Sequence, residues 1–327
     1  MSVKFLLGAD PEVFVKQGGK HISAHGMIAG TKKAPLPVDK GAVQVDGMAL
    51  EFNIDPAQTA TEFVRNIDTV YNRLKRMIPA DCTLDIVPTA YFDPEYIKSQ
   101  PEEATELGCD PDFDAWTGTK NPRPNASVDF RTGAGHIHIG WAEDMSLSDP
   151  DHFEACCMMV KQLDCSLGIL SILWDRDTKR RELYGKLGAF RPKSYGVEYR
   201  TLSNSWLRSV ALKKLVWTIT KIAFYDLMNG NQYYNSHANQ MVVAAINKGD
   251  IVDLYARKRH IHTIVQNIRR ELPTALNFML RDMYDGWSMR TKQEVDKILA
   301  SYPKVVDVSA SSGQPIWWGS VVGGTNG

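Results

Sequence analysis

The chain has 327 residues, and its 38 lysines and arginines balance 38 aspartates and glutamates, so no global field draws in nucleic acid or anionic lipid. Residues 1–7 hold one lysine and a very short apolar run, too short for a secretory signal, and no stretch approaches a membrane span. A cytoplasmic protein without nucleic-acid or membrane partners is expected, and five cysteines (Cys82, Cys109, Cys156, Cys157, Cys165) without a Cys-x-x-Cys pair argue against a disulfide framework.

The opening third reads as strands and turns. Residues 4–16 form a strand interrupted at Pro11, which cannot donate to a ladder. Around that break stand Asp10 and Glu12. Gly18-Gly19 turns the chain into residues 20–24, and residues 42–46 lead from Asp46 through Gly47 into residues 50–54, where Glu51 and Asn53 share a face. Thr59-Ala60-Thr61-Glu62 fits a capping box, and Phe63, Ile67, Val70, Leu74, Met77 and Ile78 follow at helical spacing until Pro79. Another strand is expected over residues 83–88. Residues 93–125 are rich in proline, aspartate and glycine, and a loop this long in a compact unit is functional or mobile. It contains Cys109 and Gly108-Cys109-Asp110-Pro111-Asp112, an echo of residues 8–12 that a plain Asx-Pro turn accounts for.

Gly133-Ala134-Gly135-His136-Ile137-His138-Ile139-Gly140-Trp141 is the most informative stretch. As a strand it sends His136 and His138 to one face and Ile137 and Ile139 to the other. Two such histidines are ordinary hydrogen-bonded residues or ligands, and neighbouring carboxylates decide which. Ser148-Asp149-Pro150 then starts a helix whose apolar stripe runs through Phe153, Cys156, Cys157, Val160, Leu163, Leu167 and Leu170. A basic connector with Arg176, Lys179, Arg180, Arg181, Lys186 and Arg191 leads to Tyr195-Gly196-Val197-Glu198-Tyr199-Arg200, which puts Glu198 and Arg200 on one face. Helices are expected over residues 210–228, 236–247, 251–272, 273–284 and 291–302. The pattern places the fold in the α+β class, with residues 1–307 as one catalytic domain, sheet-rich to 207 and helical from 208 to 307. Residues 308–327 read as a flexible Gly/Ser-rich tail whose Trp317-Trp318 pair docks on the parent domain or a second subunit, so a homo-oligomer is compatible.

If the strands carrying Asp10, Glu12, Asp46, Glu51, His136, His138 and Glu198 are neighbours, several anions share a wall. Two carboxylates about 4 Å apart at an effective dielectric near 20 repel by roughly 4 kcal/mol. A divalent cation compensates, and acid-rich oxygen sites suit Mg²⁺ or Mn²⁺. There is no Gly-x-x-x-x-Gly-Lys-Ser/Thr loop, no His-Glu-x-x-His and no Gly-x-Ser-x-Gly, and Gly133-Ala134-Gly135 lacks the third glycine of a dinucleotide loop. What remains, metals beside a row of arginines, is the equipment of phosphoryl transfer.

With Asp10-Pro11-Glu12, then Asp46, Glu51 and Pro56, then Gly135-x-His-x-His and Glu198-x-Arg200 in that order, residues 5–207 resemble the glutamine synthetase and γ-glutamylcysteine synthetase superfamily, most closely its phage-encoded COOH-NH2 ligases (amidoligases). The resemblance implies a curved, mainly antiparallel sheet, one face lined by metal ligands and the other covered by helices. It implies an ATP-dependent carboxylate-amine ligase working through an acyl phosphate, with two or more Mg²⁺ or Mn²⁺ ions. One ion is expected on Glu12, Asp46 and Glu51, another on Asp10, His136 and Glu198. His138 is implied as a nucleotide contact, Arg200 and Arg191 as acyl-phosphate contacts, and Arg180, Arg181 and Lys186 as the basic approach to the nucleotide. Substrates are a small-molecule or peptide carboxylate and an amine, in the host cytoplasm if the gene is a phage's. Two other readings stay open: a metal-dependent hydrolase or oxygenase in which His136-x-His138 and Glu143 imitate a cupin motif, and a non-catalytic structural protein that keeps the ligase fold.

Overall fold

A computed structural model describes residues 4–105, 112–122, 128–287 and 289–302; Cys109 and the Trp317-Trp318 tail lie outside the described residues. The strands are β1 (Leu6–Ala9), β2 (Glu12–Gln17), β3 (Lys20–Ile22), β4 (Leu36–Val38), β5 (Gly41–Asp46), β6 (Ala49–Ile54), β7 (Cys82–Asp85), β8 (Thr89–Tyr91), β9 (Phe113–Asp114), β10 (Thr119–Lys120), β11 (Phe130–Thr132), β12 (Ile137–Gly140), β13 (Ala189–Lys193) and β14 (Gly196–Tyr199). Long helices span Ala60–Lys75, Pro150–Leu163, Val210–Met228, His237–Lys248, Lys258–Glu271 and Thr274–Tyr284. This is a mixed α+β fold, and every pairing between these strands is antiparallel.

Instead of one curved sheet there are two open six-stranded sheets and a two-stranded ribbon. One sheet runs β1-β12-β14-β13-β9-β10, the other β3-β2-β6-β5-β4 with β7 on β2, and β8 pairs with β11. Pro11 marks the change of sheet. Before it, β1 pairs with β12; after it, β2 pairs with β6 and β7. The proline offers no N–H, but its carbonyl accepts from Phe52 N at 3.1 Å, while Glu12 N donates to the Ala134 carbonyl at 2.8 Å. The break thus fastens both sheets to the histidine stretch.

Alternation along the strands sets the core. Ile137, Ile139, Val197 and Leu7 are fully buried and belong to the same apolar cluster as Cys156, Val160 and Leu163 from one helix and Leu212, Leu215 and Ile219 from Val210–Met228. Cys156, Cys157 and Cys165 are packing residues, as expected from their apolar setting; burial pushes the Cys156 thiol up to about 12, which leaves it unreactive at neutral pH. The helix after residue 59 starts as expected, Thr59 Oγ1 accepting from Glu62 N at 3.1 Å, although the Glu62 carboxylate accepts from Gln58 N instead of completing the box. The expected 251–272 helix is two, Ile251–Ala256 and Lys258–Glu271, because Arg257 leaves helical geometry at φ −93°, ψ 9°.

One buried carboxylate braces the strand behind the functional residues. The helix from Pro150 passes through a π turn, Asp164–Gly168, and fully buried Asp164 accepts from Tyr199 Oη and from Trp116 Nε1, both at 2.7 Å. Tyr199 lies between Glu198 and Arg200, so its anchor fixes which way those two face. Asp164→Ala strands two buried donors and is expected to cost about 2–4 kcal/mol, read as a lowered urea midpoint with an unchanged slope.

Candidate active site

Register brings the acids together. Glu12 on β2 lies directly opposite Glu51 on β6, and Asp46 ends β5 just before the turn into β6. Opposed side chains on neighbouring strands start with Cβ atoms about 5 Å apart; carboxylate oxygens of Glu12, Asp46 and Glu51 lie within 4.8 Å of one another. Each has one neutral or cationic partner: Ala134 N to Glu12 at 2.9 Å, Gln44 Nε2 to Glu51 at 3.0 Å, Lys32 Nζ to Asp46 at 3.1 Å. Burial and the Asp46 charge push Glu12 up to about 7. Burial, Asp10 and Asp46 push Glu51 well above the usual carboxylate range.

A second group forms on the other sheet. His138 on β12 stands opposite Glu198 on β14 and Gly8 on β1, and Asp10 follows β1, so atoms of Asp10, His138 and Glu198 also meet within 4.8 Å. His138 Nε2 is 2.9 Å from Asp10 Oδ1, and its Nδ1 is 2.5 Å from Tyr195 Oη. Burial lowers the His138 pKa, but Asp10 more than reverses this and the net shift is upward. Glu198, 1% exposed, receives Arg200 and Lys193 Nζ, the latter at 2.8 Å. Burial alone raises its pKa; Arg200, the two histidines and Lys193 outweigh that and hold it well below the usual range.

Both histidines approach Asp10, His138 the more closely, with His136 Nδ1 3.7 Å from Asp10 Oδ1. His138 joins the acid group. His136 Nδ1 lies 3.5 Å from both Glu198 and the Arg200 guanidinium, and burial with the Arg200 charge keeps it neutral. His136 faces a small cavity of about 70 Å³ shared with Glu12, Asp46, Arg131, Arg180 and Arg200. Asp10, Glu51, His138, Trp141 and Tyr195 line a second, larger cleft of about 780 Å³. The acids therefore form a partition between two chambers.

The arginines divide. Arg200 bridges Glu198 and Asp112, the latter at 3.1 Å, and Arg191 approaches Glu198 at 3.9 Å from the facing position on β13. Arg180 is buried and donates to the carbonyls of Thr201 and Leu202 at 2.8 and 2.9 Å. Gly185, at φ +76°, makes room for it: a Cβ there would stand 1.7 Å from the guanidinium. Arg181 and Lys186, expected to approach the nucleotide, do not reach either chamber: Arg181 lines a different cavity among the helices, and Lys186 is exposed. Helix geometry explains Arg181: adjacent side chains on the Arg180–Leu183 turn point about 100° apart, so two buried neighbours serve different cavities. Sequence reasoning missed Arg131, Asp112, Gln44, Lys193, Tyr195 and Trp141. Lys193 and Tyr195 were within reach, since both lie at alternate positions around the Glu198 strand; Asp112 was hidden in a loop without a pattern.

A protein-family model described as phage phiEco32-like COOH.NH2 ligase-type 2 matches residues 125–295, more than half of the chain. The chain belongs to this ligase family. The match takes in the histidine strand, the basic connector and the Glu198 strand, and runs much further into the helical half than the four short motifs do. Asp10, Glu12, Asp46 and Glu51 of this COOH.NH2 ligase-family chain lie before it. No curated protein matches the sequence. Among solved structures the chain is similar to a bifunctional glutathione synthetase from Pasteurella multocida, 11% identical with a TM-score of 0.47, over 91% of this chain and 49% of that one. The chain thus spans about half the length of that protein. No described helix is long and apolar enough to cross a membrane.

The donor set fits divalent cations. Three carboxylates form one group, and two carboxylates with an imidazole form the other, the hard-ligand chemistry of Mg²⁺ or Mn²⁺. Without a cation Glu12 and Glu51 hold protons more readily than free glutamates. The folded pKa values of Glu12 and Glu51 lie above the 4.5 of an unperturbed glutamate, so their contribution to stability is full well below that pH and is lost as pH rises, Glu12's through about 7. Asp164, pushed up to about 8 by burial, acts in the same sense, as does His138, while His136 opposes them. The metal-free protein is expected to lose stability from about pH 5 to pH 8, and Mn²⁺ to restore it mainly at the alkaline end, with protons released on binding. Thermal unfolding with and without Mn²⁺ across that range measures both.

Proposed function

We propose that the chain is an ATP-dependent carboxylate-amine ligase with a glutamine synthetase-like, metal-lined sheet face. The observation that carries this reading is the partition of acids between a large cleft and an arginine-lined chamber. Glu12, Asp46 and Glu51 would hold one Mg²⁺ or Mn²⁺ and Asp10, His138 and Glu198 another. Such ions neutralise phosphate oxygens and stabilise charge that grows in phosphoryl transfer.

The protein's own groups bind and orient. The 780 Å³ cleft suits a nucleotide, with Trp141 as an apolar wall. Arg131 and Arg180 orient the acid substrate in the smaller chamber. The acid's carboxylate oxygen attacks the γ-phosphorus, the bond to ADP breaks, and Arg200 and Arg191 hold the oxygens of the acyl phosphate. An amine then attacks the acyl carbon, phosphate leaves, and the nitrogen loses a proton as the amide forms. His136, kept neutral, supports Arg200 without adding a competing charge. The two open sheets give no support to a cupin-like hydrolase.

ADP release measured against panels of carboxylic acids and amines, with Mg²⁺ or Mn²⁺, tests this reading. The expected result is release that requires metal, acid and amine together. Release indifferent to metal and amine would sink it.

A further inference from the structure

The short helix Arg180–Leu183 begins with two arginines that serve different cavities. Arg180 belongs to the candidate active site. We infer that Arg181 is the base of a second site, one that binds a small apolar carboxylate.

Arg181 lines a cavity of about 140 Å³ whose other walls include Ile172, Ile246, Leu254, Tyr255 and Trp287. The residue is 7% exposed and its guanidinium Nε is fully buried. Among the described residues it forms no ion pair, its Nε has no hydrogen-bond partner, and its Nη1 reaches only the Asp177 carbonyl at 3.4 Å. A buried charge in that condition calls for an opposite one. Arg200, by contrast, is held by two carboxylates.

A second buried donor stands on the same wall. Trp287 is 6% exposed and its Nε1 also lacks a partner among the described residues. Asp175 borders the cavity too, but its carboxylate is engaged by Ser203 Oγ at 2.5 Å and by Asp177 N at 3.0 Å. Arg176 on the rim adds positive charge and donates to the carbonyls of Trp287 and Arg290.

The occupant must therefore bring one negative group with free acceptors, and an apolar body for the aliphatic and aromatic walls. Its size follows from the volume: a cavity of about 150 Å³ in another protein takes benzene. A carboxylate on a ring or on a short branched chain satisfies all three demands. Inorganic phosphate satisfies only the first. The site goes beyond the ligase reading and does not depend on it, since it is read by binding alone.

Benzoate is the probe, titrated into the full-length, metal-free protein and followed by calorimetry and ligand-observed NMR. Saturable binding of one equivalent is expected, with benzamide and phosphate failing to displace it. Arg181→Met and the cavity-filling Ile246→Trp should each weaken benzoate at least about tenfold, whereas Arg200→Lys leaves it unchanged. Circular dichroism checks that each variant folds; if Arg181→Met does not, Ile246→Trp and the wild-type titration decide. The inference is overturned if the wild type shows no saturable binding, if phosphate competes as well as benzoate, or if binding survives Ile246→Trp.

Discussion

Glu51→Gln is expected to stabilise the metal-free protein and nearly abolish its activity. Glu51 faces Glu12 across β2 and β6, with Asp46 and Asp10 near, and those charges together with burial hold its pKa well above the usual range. An uncharged amide of the same shape removes the repulsion and can turn its oxygen towards Gln44 Nε2. At about pH 8 the gain should be roughly 1–2 kcal/mol, vanishing at about pH 3.5, below the 4.5 of an unperturbed glutamate, where the wild-type group is protonated in both states. On the proposed reading the same change also removes one carboxylate from the group that would hold a metal, so ADP release should fall by about 10²–10³-fold. Urea titrations in EDTA at both pH values, calorimetry with Mn²⁺ and a turnover assay separate the two effects. A variant less stable at alkaline pH yet still active would show that Glu51 is neither crowded by anions nor a ligand.

Arg200→Lys should be the most damaging conservative change. The guanidinium spans Glu198, Asp112 and the edge of His136, and a lysine ammonium, one point charge on a flexible stem, cannot hold the two carboxylates in the same fork. Glu198 keeps Lys193, so folding should survive at a cost of about 1–3 kcal/mol. If Arg200 acts on charge that develops only during transfer, kcat falls by about 10²–10³-fold with KM little altered. A rise in KM at constant kcat would instead make Arg200 an ordinary substrate contact.

Much of this molecule is legible in one dimension because local rules write themselves into the sequence. Alternation sends Ile137 and Ile139 to the core and both histidines to the other face. Asp149 and Pro150 open a helix where expected, and the helix Val210–Met228 has the predicted bounds. The acids at Glu12, Asp46, Glu51 and Glu198 could be named for the same reason: each lies on a strand with an apolar neighbour that fixes its direction, while Asp10 directly follows one.

What local rules do not encode is partnership across the chain. That His138 meets Asp10 more closely than His136 does depends on the register of β1 against β12, set by hydrogen bonds between segments about 130 residues apart. Arg181 and Asp112 show the same limit from opposite sides. Arg181 resembles its neighbour in sequence but turns to another cavity, and Asp112 reaches Arg200 from a loop with no periodicity at all.

The sequence by itself determined the element types, the inward faces and the residues able to bear charge, because those follow from periods of two and 3.6 and from capping chemistry. Only the tertiary structure decided that the charges form two groups, that Pro11 divides the strands between two sheets, and that the acids stand between two chambers. Those outcomes rest on strand register and on long-range electrostatics, which exist only once the distant segments are side by side.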